Sequence, residues 1–216
     1  MSRWWDHLSS QTSSLRDRTR RAVQKEIADA AHALFVERGY EETKIDDIAA
    51  AVGMSQRSVF RYFETKEELV IGKFDFAAAA MLAIVRDRPM EEAVWVSLRR
   101  VFDEMVAPCD DPGQRPAAVS ILSVVFGTPA LFAAYLQKMH QLQEAIVEAL
   151  LERANAAGRP YAGDDPAPRA LTAAAFGCLV AAQHSWLAGG TTKTFAQALD
   201  QAMAAVRSPQ VPPRTG

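Results

Sequence analysis

The residues best suited to chemistry lie between Thr43 and Leu69, in the segment TKIDDIAAAVGMSQRSVFRYFETKEEL. Its second half combines arginine, glutamine and serine, whose side chains can read the edges of DNA bases. Lys66 stands in the first turn of a predicted helix, where the macrodipole disfavours a cation and a phosphate partner would account for one. Thr43 stands at another helix N-terminus, whose backbone amides can point at a phosphate. These residues indicate nucleic-acid binding rather than catalysis.

Two short helices must position these side chains. The first carries an apolar face from Ile45 to Val52, Gly53 permits a sharp turn, and Val59 with Phe63 forms the facing stripe of the second helix. This is the pattern of a helix-turn-helix, in which the second helix enters the major groove N-terminus first. We therefore expect Ser55, Gln56, Arg57, Ser58 and Arg61 to face DNA. The full set of candidate DNA-contacting residues also includes Thr43, Lys44, Phe60, Tyr62 and Lys66.

Capping signals and apolar periodicity predict an all-α chain of about nine helices. The first helix runs from Leu15 to the stop signal at Gly39. Boxes at Thr43–Asp46 and Thr65–Glu68 open the second and fourth helices, and Ser55 caps the third between them. The second helix ends at Ala51 and the fourth near Arg88. The remaining helices are expected at about 90–107, 117–126, 129–156, 166–188 and 194–206, with loops at 108–116 and 158–166.

This reading divides the chain into four parts. Residues 1–14, which are polar apart from Trp4 and Trp5, form an extension that we expect to be disordered. Residues 15–65 form the helix-turn-helix domain, and residues 66–207 form a ligand-binding and dimerisation domain. The Pro-rich residues 208–216 are expected to be a flexible tail.

Composition limits the remaining function classes. The chain has 24 Lys and Arg against 26 Asp and Glu, so a nucleic-acid surface must be local. Such a concentration occurs between Arg16 and Lys25, where five basic residues accompany one acid, either as a solvated helix start or as an arm that contacts DNA. The 39 alanines argue against β-rich folds.

Other residue types give no sign of a metal or catalytic centre. Cys109 and Cys178 offer neither a disulfide framework nor a metal spacing, as expected for a protein of the cytoplasm. The four histidines are dispersed, and no nucleotide-binding or hydrolase motif is present, so we expect no enzyme activity, no cofactor and no metal. The longest uncharged apolar runs have ten residues, too few to span a membrane, and no secretory signal is readable.

The N-terminal motifs resemble the DNA-binding domain of the tetracycline-repressor (TetR) family over about residues 17–72. The similarity rests on order and spacing in Phe35-x-x-x-Gly39-Tyr40, Thr43, Ile48-Ala49-x-x-Val52-Gly53-x-Ser55, Phe60-x-x-Phe63 and Lys66-x-x-Leu69. The sequence departs from the commonest pattern at Arg57, where glycine is frequent, and at Phe60, where tyrosine is frequent. The resemblance implies a homodimeric regulator, usually a repressor that a small molecule releases from a palindromic operator.

The C-terminal half resembles the mycofactocin-linked regulators of that family, some of which respond to acyl-coenzyme A. The similarity rests on the helix that ends in Trp186-Leu187-Ala188-Gly189-Gly190 and on the short amphipathic helix after it. The abundance of apolar positions in this half suits a hydrophobic effector, either acyl-CoA-like or aromatic. Arg115, Lys138 and Arg169 are the candidate cations for coenzyme A phosphates.

The candidate effector site combines aromatic and polar residues on otherwise apolar helices, each of which could equally be core. They are Trp95, Phe126, Tyr135, Met139, His140, Gln143, Phe176, Gln183, His184 and Trp186. The last two predicted helices carry much small apolar surface, which favours a homodimer interface across a two-fold axis. Two other readings stay open: a helical protein–protein adaptor without DNA binding, and a small-molecule-binding enzyme without a recognisable catalytic motif.

Overall fold

The computed structural model describes residues 15–89 and 91–207 of the chain. The predicted extension at 1–14 and the predicted tail at 208–216 lie outside the described residues. Every regular element in the described part is a helix, which confirms the all-α prediction. The helices are α1 (Leu15–Arg38), α2 (Ile45–Ala51), α3 (Gln56–Phe60), α4 (Lys66–Ile71), α5 (Lys73–Asp87), α6 (Val94–Val101), α7 (Asp103–Asp110), α8 (Arg115–Gly127), α9 (Pro129–Ala156), α10 (Ala167–Ala188) and α11 (Phe195–Arg207).

The chain divides into two compact units between Lys73 and Phe74. The first unit therefore includes α4, whereas the sequence placed the boundary after residue 65. In this unit α1 packs against both α2 and α4, and α2 packs against α3. Its core is made of fully or almost fully buried side chains, among them Ile27, Phe35, Ile48, Val59 and Leu69.

In the second unit α10 is the central helix, packed against α9, α11, α6 and α8. The small residues on α10 allow this close packing from several directions. Large side chains that are fully buried in this core come from α9, α10, α11 and the break between α6 and α7; they are Leu131, Tyr135, Phe176, Phe195 and Phe102.

Two predicted helices are interrupted, which explains why eleven helices rather than nine are seen among the described residues. The predicted helix after Thr65 ends at Ile71 and resumes at Lys73. At the break a β-carbon on Gly72 would lie 2.7 Å from the carbonyl oxygen of Glu68, a distance that only glycine avoids. The predicted helix at 90–107 begins instead at Val94 and is broken at Phe102.

The predicted loop at 108–116 is also shorter than expected, because α7 continues through Pro108 to Asp110. A turn at Asp111 then redirects the chain. The Asp111 carboxylate accepts hydrogen bonds from the backbone amides of Gly113 and Gln114, at 3.0 and 2.9 Å, and α8 starts at Arg115. The predicted bounds of the long α9 are confirmed at both ends.

Candidate functional site

The turn between α2 and α3 has the geometry that the sequence predicted. Gly53 has φ +64°, a left-handed conformation that glycine adopts without strain. Ser55 is the N-cap of α3, and its hydroxyl accepts a hydrogen bond from the amide of Ser58 at 3.2 Å. Val59 and Phe63 are buried toward the unit core. The outer face of α3 is thereby turned away from that core.

This outer face carries most of the predicted base-reading residues. Gln56, Arg57 and Arg61 are exposed, and Phe60 has 43% of its surface accessible. Ser58 is half-buried; its hydroxyl lies 2.9 Å from that of Ser55 and accepts a hydrogen bond from Arg61 Nη2 at 3.4 Å. The arrangement presents a guanidinium, an amide and hydroxyl groups on one short helix end, as base and phosphate recognition requires.

Helix α1 holds the C-terminal end of α3, a contact that the sequence did not predict. Arg20 donates a hydrogen bond to the Arg61 carbonyl at 3.4 Å, and its guanidinium lies 5.5 Å from the centre of the Tyr62 ring. Gln24 donates to the Tyr62 carbonyl at 3.3 Å. One member of the basic segment 16–25 thus contacts α3, while Arg18 and Arg21 are exposed. The i,i+4 spacing of Arg20 and Gln24 was the available signal for this shared face.

Lys66 and Thr43 have partners within the first unit. The Lys66 ammonium donates to the carbonyls of Tyr40 and Glu41, at 2.5 and 3.4 Å, and lies 4.2 Å from the centre of the Tyr40 ring. These carbonyls and the ring stabilise the cation, so its position does not require a phosphate. Thr43 is buried, and its hydroxyl donates to the carbonyl of Gly39 at 2.8 Å.

The predicted capping box at Thr43–Asp46 is wrong by one residue. Lys44 is the N-cap of α2, and its backbone amide donates to the Asp47 carboxylate at 2.9 Å. The predicted cap at Thr65 is confirmed, since its hydroxyl accepts from the Glu68 amide at 3.2 Å. Burial of Thr43 explains the shift, because its hydroxyl is engaged with the end of α1 rather than with α2. The side chain of Lys44 is exposed.

In the second unit, four of the ten predicted effector residues lie together. The Tyr135 hydroxyl donates to Gln183 Oε1 at 2.8 Å, and both side chains are buried. The Phe126 ring lies 5.8 Å from the Tyr135 ring and 4.4 Å from the His184 imidazole, in an edge-to-face arrangement with the latter. Burial raises the pKa of the Tyr135 hydroxyl, which therefore stays a neutral hydrogen-bond donor. We call these four residues the Tyr135 cluster.

The other predicted effector residues do not all share this environment. Phe176 packs edge-to-face on Phe102. Trp186 donates from its indole nitrogen to the Lys193 carbonyl at 2.9 Å and contacts Phe195. The remaining members differ in exposure: Met139 is buried, Gln143 half-buried and His140 exposed.

Trp95 lines a groove of about 320 Å³ on the second unit, together with residues of α6 and α11. Arg99 lies in this groove and forms ion pairs with Asp103 at 2.7 Å and with Asp200 at 2.5 Å.

Two of the three candidate cations for coenzyme A phosphates have hydrogen-bond or ion-pair partners within the chain. Arg115 donates to the carbonyls of Cys109 and Asp110, and Arg169 pairs with Glu144.

No group of three His, Cys, Asp or Glu side chains that could hold a metal is found within 15–89 and 91–207. Cys109 and Cys178 are buried free thiols, and burial raises the pKa of Cys109 to about 12.

By length and composition alone, α10 could cross a membrane, and so could α8 and α9 if that bent pair is one span. A buried core helix meets the same criterion, and α10 is packed on several sides.

Comparison with known proteins agrees with these features. Residues 27–72 match the family model "Bacterial regulatory proteins, tetR family", and residues 88–210 match the model "MftR C-terminal domain". The transcriptional regulator TcmR of Streptomyces glaucescens is 27% identical over 144 residues, which cover 64% of this chain and 63% of TcmR. The matches to curated relatives span between 34% and 65% of those relatives' lengths.

Two solved structures illustrate the fold. SmeT, the repressor of the Stenotrophomonas maltophilia multidrug efflux pump SmeDEF, superposes with a TM-score of 0.54 at 18% identity, over 86% of this chain and 91% of SmeT. The regulator FadR of Bacillus subtilis, solved in complex with stearoyl-CoA, gives 0.54 at 18% identity, over 86% and 98% of the two chains. At this identity the likeness concerns the fold. The two family models show that this chain belongs to the TetR family of bacterial regulatory proteins and carries an MftR-type C-terminal domain.

Proposed function

We propose that this protein is a sequence-specific DNA-binding transcriptional regulator of the cytoplasm, a repressor that acts without catalysis. The observation that supports this proposal most directly is the outer face of α3, where Gln56, Arg57 and Arg61 are exposed on a helix-turn-helix. Membership of the TetR family supports the same function. Binding by the tip of a short helix requires two copies on a two-fold operator, with half-sites one helical turn or a multiple of it apart.

The dimer is proposed to form through α10 and α11. Helix α10 carries an exposed strip of small residues at helical spacing, Ala173, Gly177 and Ala181, followed by His184. A β-carbon on Gly177 would have no neighbour within 4 Å, so the strip is open on its outer side. Small side chains let two helices approach closely, and a self-complementary strip suits a two-fold interface.

The effector is proposed to be a small hydrophobic molecule, acyl-CoA-like or aromatic, that enters near the Tyr135 cluster. This cluster joins aromatic rings with one buried amide, the composition of a site for an apolar ligand with few polar handles. The FadR structure, which holds stearoyl-CoA, supports only the fold in which such a ligand can be accommodated.

The test of DNA binding is fluorescence anisotropy with labelled fragments of the gene's own upstream region, at several salt concentrations. A regulator binds one palindromic fragment more tightly than scrambled DNA of equal length, and its affinity falls steeply with salt. A helical adaptor without DNA binding shows neither preference nor a salt-dependent affinity. That outcome would reject the proposed function, whereas equal affinity for all fragments would reject its sequence specificity alone.

A further inference from the structure

A small cavity in the second unit lies apart from the Tyr135 cluster and has a different chemistry. It has a volume of about 130 Å³ and lies at the C-terminal end of α9, beside the chain that leads into α6. Its polar lining consists of Arg153, Arg159, Tyr161 and Glu92, and its apolar wall includes Val94 and Leu150. The cavity thus brings two guanidinium groups and a phenol next to an apolar surface.

Arg153 is held in a fixed orientation at this cavity although only 8% of it is exposed. Its guanidinium donates to the Ser97 hydroxyl at 3.0 Å and to the carbonyls of Val85 and Glu92, at 3.4 and 3.3 Å. All three acceptors are neutral. A buried cation is normally paired with an anion, because desolvation of an unpaired charge is costly.

Glu92 reaches Arg153 only indirectly: the Ser97 hydroxyl bridges them, and no direct hydrogen bond joins the Arg153 guanidinium to the Glu92 carboxylate. Arg88 donates two hydrogen bonds to it, one of them from Nε at 2.7 Å, and the Ser97 hydroxyl donates a third at 2.8 Å. The bonds from Arg88 are the main reason why the pKa of Glu92 is lowered, to about 2, and the nearby charge of Arg153 adds to this effect. The lining of the cavity therefore holds two arginines, Arg153 and Arg159, against the single carboxylate of Glu92, which also pairs with Arg88. The cavity keeps an excess of positive charge.

Arg159 and Tyr161 complete the site from the loop that follows α9. Arg159 is exposed and Tyr161 half-buried, and within the described ranges neither side chain has a hydrogen-bond or ion-pair partner. A free guanidinium opposite a fixed one can grip an oxyanion from two sides, and a phenol can donate a further hydrogen bond. The orientation of Arg153 is already established, so ordering it costs little on binding.

We propose that this cavity binds a small oxyanion, either a phosphate group or a carboxylate. Its volume of about 130 Å³ is of the size of a few water molecules at ~30 Å³ each, which suits one such group. The site is separate from the proposed effector region and does not depend on DNA binding. A bound anion would connect the end of α9 to the loop carrying Arg159 and Tyr161, and so tighten that loop.

The experiment is calorimetric titration of the full-length protein in chloride buffer at constant ionic strength, with inorganic phosphate, methyl phosphate and acetate. Saturable binding of phosphate or acetate supports the site. If methyl phosphate binds as tightly as inorganic phosphate, the natural ligand carries a phosphate ester. If methyl phosphate binds more weakly than inorganic phosphate, the natural ligand is the free phosphate ion. Binding of acetate alone assigns a carboxylate. Saturable binding of none of the three overturns the proposal.

Variants at the accessible side of the cavity locate the site without removing the buried Arg153. Arg159→Met should weaken anion affinity by about tenfold, as loss of one charge-assisted hydrogen-bond donor does, and Tyr161→Phe should weaken it by a smaller factor. Arg86→Met removes an equal charge from the exposed surface of α5, outside the cavity, and should leave the affinity unchanged. Equal losses in Arg159→Met and Arg86→Met would overturn the proposal, because they would indicate non-specific attraction. DNA binding is measured separately, so the two proposals can fail independently.

Discussion

The carboxylate of Asp110, the last residue of α7, accepts the backbone amide of Phe195, the first residue of α11, at 2.6 Å. Its second oxygen accepts the next amide, that of Ala196, at 3.0 Å. Amides in the first turn of a helix lack partners within that helix, and a negative charge there also interacts favourably with the macrodipole. A residue 85 positions away in sequence thus caps α11.

Asp110→Ala should therefore destabilise the second unit although the side chain is small and only half-buried. Loss of a helix cap costs ~1–2 kcal/mol, and here two amide bonds are lost together. Urea unfolding measures the change in the free energy of unfolding. Asp110→Asn, which keeps an acceptor, should recover part of it, and Glu104→Ala on the exposed side of α7 is the control. An unchanged midpoint for Asp110→Ala would contradict the capping role.

This contact also shows where sequence analysis stops. The bounds of α9, the cap at Ser55 and the turn at Gly53 depend on neighbours along the chain, and they could be predicted. The Asp110 cap joins segments that are distant in sequence, so local patterns placed Asp110 only in the predicted loop at 108–116. The break at Gly72 was missed for a related reason: glycine in a helix is tolerated, and only the close approach to the Glu68 carbonyl reveals its role.

The residues of the candidate sites likewise fall into those that local sequence could predict and those that depend on tertiary packing. The exposed positions of α3 follow from helical periodicity once the buried Val59 is known. The effector set could not be predicted as a unit, because polar residues on apolar helices find partners that only tertiary packing decides. Gln183 bonds to Tyr135 across two helices, whereas His140, five residues after Tyr135 on the same long helix, is exposed.

Lys66→Met should lower the stability of the first unit. Its ammonium bonds to two backbone carbonyls and lies on the Tyr40 ring, contacts worth ~1–2 kcal/mol in total when partly exposed. Thermal unfolding of the variant measures this loss, with Lys44→Met, an exposed lysine of the same unit, as the charge-matched control.

The sequence-based role of Lys66 as a phosphate contact makes a separate prediction. A phosphate contact weakens binding to all DNA sequences and lowers the slope of log affinity against log salt by about one unit. If Lys66→Met lowers the stability but leaves the slope of log affinity against log salt unchanged, the role of Lys66 is structural only. A lower slope at temperatures where the variant is fully folded would establish the phosphate contact in addition.

Arg57→Ala should weaken specific DNA binding by ~1–3 kcal/mol and relax the preference at one base position of each half-site. The side chain is exposed on α3, so its removal should leave the unfolding temperature unchanged. Binding selection from a randomised operator measures the preference. Arg207→Ala, at the end of α11, removes the same charge from the second unit and should leave the preference as it was. An unaltered preference in Arg57→Ala would exclude base recognition by this residue.

Ala181→Arg should convert the protein to a monomer. Ala181 is exposed on the small-residue strip of α10, and a long charged side chain there would prevent close approach of a second copy. Sedimentation velocity at micromolar concentration measures the assembly state, and circular dichroism verifies that the helices remain. Val36→Arg, on an exposed position of α1, should stay dimeric. A wild-type monomer at this concentration would contradict the proposed interface.

Palmitoyl-coenzyme A and free palmitate should both release the protein from its operator. An acyl-CoA-specific response needs cations for the coenzyme A phosphates, yet Arg115 already donates to two carbonyls and Arg169 pairs with Glu144. The apolar and aromatic surface of the Tyr135 cluster makes no such distinction. Anisotropy of a preformed DNA complex, titrated with each compound below its micelle concentration, measures release. Gln183→Leu should shift both midpoints in the same direction, since its amide is the buried polar group of the cluster. Release by the thioester alone would show that the coenzyme A moiety is recognised, and release by neither would exclude long-chain acyl effectors.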